Sequence, residues 1–162
     1  MRLLSCNSSD WTKRYPWIAE AALKNRKHFV IDGEAVILGV DGMSDFDALH
    51  SRKNDHAAQF YALDMLAGDG DDYWRLPLSM RKANLARLLA RRSDVIFLAP
   101  FEQGEIGPDL FRHACMMGLE GMVSKQPTAP IARAAGTLDQ EQGIEGRDAR
   151  GTFDHRELSL VG

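Results

Sequence analysis

Three short acidic stretches of the sequence could do chemistry together: Asp32-Gly33-Glu34, Tyr61-Ala62-Leu63-Asp64, and Glu120-Gly121-Met122-Val123-Ser124-Lys125. Each stands in or beside a run of apolar and β-branched residues, where a carboxylate is costly to bury unless a cation meets it. Carboxylates converging on one groove suit a magnesium ion, which takes oxygen ligands and bridges phosphates. Lys125, at the end of the third stretch, would neutralise a phosphate beside it. Taken singly, each stretch has a plainer reading. Asp-Gly-Glu is a common turn, and a Glu-Gly…Lys stretch is a common exposed strand end. From the residues alone they define a metal and phosphate site only if they converge.

The elements that must position them are readable from hydropathy. Residues 1–5 read as a short strand. Trp11 to Asn25 reads as a helix with Trp17, Ile18, Ala21 and Ala22 on its apolar face and Pro16 in its first turns, where a missing N–H costs least. Phe29-Val30-Ile31 and Ala35-Val36-Ile37-Leu38 flank the first acidic stretch as strand-like runs, and Asp41-Gly42 marks a turn. Gln59 to Leu66 reads as a strand closed by Gly68-Asp69-Gly70-Asp71-Asp72. Leu78 to Arg92 reads as an amphipathic helix with Leu85, Leu88 and Leu89 as its stripe. Arg81, Lys82, Arg87, Arg91 and Arg92 are assigned to a solvated basic face, with contact to DNA phosphates as the alternative. Val95 to Leu98 reads as a strand, Pro108 to Gly118 as a helix, and Met122-Val123 as part of a last strand. From Gln126 to Gly162 no hydrophobic period is sustained, and this stretch reads as an irregular, largely disordered tail.

Bulk properties narrow the class. The chain has 162 residues, 44% hydrophobic and 27% charged, with a net charge of -3. That suits one globular domain and argues against a simple basic nucleic-acid-binding module. Cys6 and Cys115 have no metal-ligand or disulfide spacing, and His28, His50, His56, His113 and His155 are scattered. Trp11, Trp17 and Phe29 read as packing residues, and Cys115 as a core residue beside Phe111. No signal peptide opens the sequence, and Asp32 and Glu34 interrupt the best apolar run, so a cytoplasmic protein with no membrane span is expected.

Taken together, the motifs resemble the adenylation domain of ATP-dependent DNA ligases, especially the bacterial end-joining type. Phe29-Val30-Ile31-Asp32-Gly33-Glu34-Ala35-Val36 resembles the family's third nucleotidyltransferase motif. Gln59-Phe60-Tyr61-Ala62-Leu63-Asp64-Met65-Leu66 resembles the next, and Leu119-Glu120-Gly121-Met122-Val123-Ser124-Lys125 the fourth. Ser44-Asp45-Phe46-Asp47-Ala48-Leu49 and Pro77-Leu78-Ser79-Met80-Arg81-Lys82 share the family pattern between them. The similarity runs from near residue 1 to 125. It implies an α+β nucleotidyltransferase fold, antiparallel sheets with flanking helices, incomplete here. The implied domain is 1–125, followed by the tail 126–162. The implied activity is ATP-dependent sealing of nicked double-stranded DNA in repair and recombination, with ATP and Mg2+ as cofactors. In that family a lysine takes AMP from ATP, AMP passes to the 5′-phosphate of the nick, and the 3′-hydroxyl attacks. By the resemblance, Glu34 contacts the ribose or the metal, Glu120 helps hold the metal, Lys125 touches the AMP phosphate, Leu63 covers the adenine, and Asp64 is structural or stands behind the metal's ligands.

The departures matter as much. The family's nucleophile sits in Lys-x-Asp-Gly, and none of the pairs Asp32-Gly33, Asp41-Gly42 and Asp69-Gly70 has a lysine two residues before its Asp. Cys6-Asn7-Ser8 stands where the family carries Arg-Asn-Gly, and Leu63 where it carries an aromatic residue over adenine. The closing motif of two lysines is missing from 126–162. Thr128 to Arg133 also matches a family sequence, Asp-Arg-Pro-Tyr-Arg-Ala-Gly, read one base out of frame with suitably chosen codons. The isolated chain is therefore expected to bind ATP weakly and not to adenylate itself, with an upstream segment as the source of the missing lysine. The alternatives are a non-catalytic fragment or pseudogene product, and an RNA ligase or capping-type nucleotidyltransferase.

Overall fold

Alternation of inward and outward residues builds the centre of the molecule. In the computed structural model, which describes residues 1–5, 7–25, 27–90, 94–101 and 157–161, strand β2 runs unbroken from Phe29 to Val36. Phe29, Ile31, Gly33 and Ala35 are buried, and the residues between them face the other way. The turn reading of Asp32-Gly33-Glu34 therefore fails: the two expected short strands are one, and the motif sits in its middle.

Among the described residues the sheet has six strands in the order β1-β6-β2-β3-β4, with β5 also on β3. β1 is Arg2–Ser5, β3 is Gln59–Gly68, β4 is Asp71–Asp72, β5 is Ile96–Leu98 and β6 is Glu157–Val161. All these pairings are antiparallel except β3 with β5, which is parallel, so the sheet is mixed rather than antiparallel throughout. The β3–β4 turn uses Asp69 at φ 52° and Gly70 at φ 95°, as the Gly-Asp-Gly cluster predicts.

Three α-helices accompany the sheet among the described residues: α1 (Pro16–Leu23), α2 (Phe46–Ser51) and α3 (Leu78–Leu88). α1 starts later than expected because Pro16 fixes its first position. α2 has no hydropathy signal of its own. Its start is written in Asp45, whose carboxylate accepts a hydrogen bond from the Ala48 N–H at 2.8 Å. Ile18 and Ala22 from α1 and Leu85 and Leu88 from α3 join Leu3, Phe29, Ile31, Phe60 and Ala62 in one core cluster. Trp11 and Trp17 pack against it as expected. Arg14 reaches across this end of the fold, donating to both oxygens of Asp55 at 2.8 Å and to the Leu49 carbonyl at 2.9 Å. The hydrogen bonds to Asp55 push the Arg14 pKa up. Burial pushes the adjacent Tyr15 phenol up to about 12, and among the described residues its hydroxyl meets no hydrogen-bond partner.

The expectation of an irregular tail does not extend to its last residues. Glu157–Val161 forms β6, antiparallel to β1 on one side and to β2 on the other. The physical reason is the pairing demand of the sheet: β1 and β2 each offer a row of N–H and C=O groups, and a strand between them satisfies both. Its Leu158-Ser159-Leu160 alternation is too short to stand out in the sequence. Residues 126–156, the expected helix 108–118 and the strand at Met122-Val123 lie outside the described residues, as do Cys6 and Cys115. Among the described residues no helix is long and apolar enough to cross a membrane.

Candidate functional site

The second acidic stretch lies on β3, directly beside the first on β2. Glu34 pairs with Tyr61, Gly33 with Ala62, and Asp32 with Asp64. Leu63 is thus an extra residue on β3, a β-bulge. Phe60 and Ala62 point into the core and Asp64 is buried with them, so Tyr61 and Leu63 face the other side, as Glu34 does. On that face Glu34 is exposed, Asp32, Tyr61 and Leu63 are half-buried, and the Tyr61 ring lies 5.4 Å from that of Phe97 on β5. The result is a shallow surface with an apolar floor and a carboxylate at its edge.

Gly33 is required by space rather than by backbone conformation. A Cβ there would fall on the Tyr61 carbonyl oxygen, 2.7 Å from Phe60 Cζ and 2.9 Å from Ala62 Cα. Its absence lets the Phe60 ring slide under β2 and keeps β2 and β3 close where Glu34 and Tyr61 stand side by side.

Asp64 turns inward. Its carboxylate receives Arg81 Nε at 3.0 and 3.2 Å and Nη2 at 3.0 Å, and both residues are almost wholly buried, at 5% and 3% exposure. The assignment of Arg81 to a solvated basic face is therefore corrected. Arg81 lies four and seven residues before Leu85 and Leu88, on the buried stripe of α3. That spacing, together with a strand carboxylate needing a partner, is the signal the sequence offers. Lys82 instead lies 4.6 Å over the exposed ring of Phe101.

Of the site residues expected from sequence, Glu34 and Leu63 are brought together on one face. Glu120 and Lys125 lie outside the described residues. Among the described residues no three of His, Cys, Asp or Glu gather to hold a metal. A second concavity, lined by His28, Phe29, Val30, Gly68, Asp71 and Asp72, lies at the far ends of β2 and β3, away from Glu34.

Residues 1–134 match the family model for the ATP dependent DNA ligase domain. The chain is 32% identical over 130 residues to the multifunctional non-homologous end joining protein LigD of Pseudomonas aeruginosa, covering 78% of this chain and 16% of that protein. It is 32% identical over 152 residues to a DNA ligase of Pyrobaculum calidifontis, covering 83% of this chain and 26% of that protein. The crystal structure of the ligase domain of M. tuberculosis LigD superposes with a TM-score of 0.68 at 27% identity, over 82% of this chain and 44% of that one. A mycobacterial DNA ligase D complexed with ATP and MES superposes with a TM-score of 0.67 at 28% identity, over the same shares of the two chains. The fold is that of a ligase domain, and the chain belongs to the ATP-dependent DNA ligase domain family, a family of enzymes. It spans about a quarter or less of the length of these curated relatives.

Proposed function

We propose that this chain is part of the adenylation domain of an ATP-dependent DNA ligase acting on nicked duplex DNA in cytoplasmic repair and recombination, and that alone it does not carry out self-adenylation. The observation that carries the reading is the face shared by Glu34, Tyr61 and Leu63 on adjacent strands, in a chain of this family. Leu63 would cover the adenine, with Glu34 at the ribose and Lys125 at the phosphate. Glu34 and Glu120 would hold Mg2+. An exposed carboxylate at the edge of the apolar floor fits a hard cation that keeps waters and bridges to phosphate oxygens. Bound there, Mg2+ would supply charge neutralisation at the phosphates. The solved relative complexed with ATP supports the choice of nucleotide.

Within 1–162 no lysine stands in Lys-x-Asp-Gly, so the chain has no acceptor for AMP of the family kind. An upstream segment would have to supply it, and without one the chain is a non-catalytic fragment. The main unit is 1–125, to which strand 157–161 is added. Incubation with labelled ATP and Mg2+, followed by denaturing electrophoresis, tests this. No labelled band is expected. A band that survives in Lys125→Ala would show another lysine serving as nucleophile and end the reading of this chain as inactive.

A further inference from the structure

We propose that the slot between β1 and β2 is the seat of a strand lying directly upstream of β1, and that residues 157–161 are its displaceable occupant. The inference gives the upstream segment of the proposed function a place in the sheet, and rests on that reading. β6 meets β1 with Val161 opposite Arg2, Leu160 opposite Leu3 and Ser159 opposite Leu4. If the two ends of the chain were joined, only Gly162 and Met1 would separate Val161 from Arg2. That is the pattern of a two-residue β-hairpin, whose first loop position favours glycine. β6 therefore stands in the register of a first hairpin arm, with β1 as the second.

The other edge of β1 is closed to such an arm. Trp11 N–H donates to the Leu3 carbonyl at 2.8 Å, Leu3 N–H to Thr12 Oγ1 at 3.0 Å, and Ser5 N–H to the Ser9 carbonyl at 2.9 Å. An antiparallel strand that turns tightly into β1 has the β6 position left to it. The slot is also longer than its present occupant: β2 runs from Phe29 to Val36, and β6 pairs with Val30 to Glu34. A longer arm would continue along Ala35 and Val36, so the chain leading into it would arrive beside Glu34, at the face proposed for the nucleotide. Main-chain pairing supplies the affinity in strand addition of this kind, and so favours no particular side chains. Loop closure then decides between two strands of similar length. An arm next to β1 closes a two-residue turn, whereas β6 returns across almost the whole chain.

The test adds to the full chain, in place of Met1, an arm of sequence Glu-Leu-Thr-Leu-Val that turns into Arg2 through Asn-Gly. The threonine gives the arm a mass different from that of residues 157–161, so amide hydrogen exchange of the two strands is followed separately by peptide mass. No nucleotide or DNA is present, so this test and the ATP-labelling test fail independently. Protection is expected in the arm, and residues 157–161 are expected to exchange about tenfold faster or more than in the parent chain. An arm with proline in place of its threonine should leave residues 157–161 protected. Urea unfolding of Ser159→Pro is the second measurement, because there the native occupant is already weakened. The threonine arm should restore the parent midpoint, and the proline arm should not. Residues 157–161 still protected beside an unprotected arm, protection of both strands, or loss of protection in both overturns the proposal. So does a Ser159→Pro midpoint that the threonine arm leaves unchanged.

Discussion

Gly33→Ala is the most informative single perturbation of the β2–β3 pair. The added methyl would fall on the Tyr61 carbonyl oxygen and stand 2.9 Å from Ala62 Cα. Both are backbone atoms of a strand paired on both sides, so neither can rotate away. The third contact, Phe60 Cζ at 2.7 Å, belongs to a fully buried ring with no room to retreat. Overpacking of this kind costs about 1–3 kcal/mol and more where backbone must move. Replacing glycine by alanine also restricts the unfolded chain, which stabilises by about 0.4–1 kcal/mol. The clash outweighs that gain, leaving a net loss of about 2 kcal/mol or more. For a chain of this size each kcal/mol lowers Tm by roughly 2–4 °C. Urea unfolding followed by tryptophan fluorescence measures it. Adding Phe60→Leu to Gly33→Ala relieves only the ring contact, so recovery beyond about half the loss is not expected. A loss below about 0.5 kcal/mol for Gly33→Ala, or full recovery with Phe60→Leu, would refute the claim that backbone approach demands this glycine.

Three further outcomes follow from particular contacts. Leu63→Phe restores a ring on the site face and should tighten ATP binding by about 0.5–1.5 kcal/mol, or roughly two- to tenfold, by calorimetry; no change would remove Leu63 from the adenine position. Ser159→Pro takes an N–H from a strand paired on both sides and should cost about 1–3 kcal/mol in chemical denaturation, the penalty of a ladder acceptor left unmet; a neutral result would show that β6 adds nothing. Tyr15 holds its proton more tightly folded than unfolded, so its share of stability is present below pH 10 and is lost as pH rises through about 12. Tyr15→Phe should therefore lessen the fall in stability between pH 10 and 12. At pH 7 it should be neutral or stabilising, because it removes a buried hydroxyl that meets no partner among the described residues.

How much of this is legible in the sequence depends on the range of the interaction involved. Apolar runs at Phe29-Val30-Ile31, Ala35-Val36-Ile37-Leu38 and Gln59 to Leu66 mark where the two site strands lie, though not that the first two runs are one strand, and the glycine turns at Gly42 and Gly70 are local signals that hold. The Asp-Gly-Glu turn reading fails because the demand for Gly33 comes from a strand some thirty residues away, through Phe60 and Tyr61. Arg81 escapes a sequence reading because a charge on a helix is solvated by default, and only the pairing with Asp64 across two elements makes burial favourable. Strand 157–161 escapes it because five residues of weak alternation carry little information until two edges flank them. Glu34 and Leu63 are named by motif resemblance; β2–β3 register sets Glu34 beside Tyr61, and the alternating burial of Phe60 to Asp64 sets Leu63 on the Tyr61 side.

The place of β6 also sets an order of events in time. β1 joins the sheet through β6, with Arg2 opposite Val161, so the first residues described are held by the last. As the chain leaves the ribosome, β2, β3 and the hairpin to β4 can pair early, while β1 waits for its sheet partner until residues 157–161 have emerged. The pairing that closes the sheet spans almost the full length of the chain, a late and slow step on loop-closure grounds. Until then β2 keeps a bare edge along Asp32-Gly33-Glu34, so this stretch is the last of the central pair to be shielded from a neighbouring nascent chain.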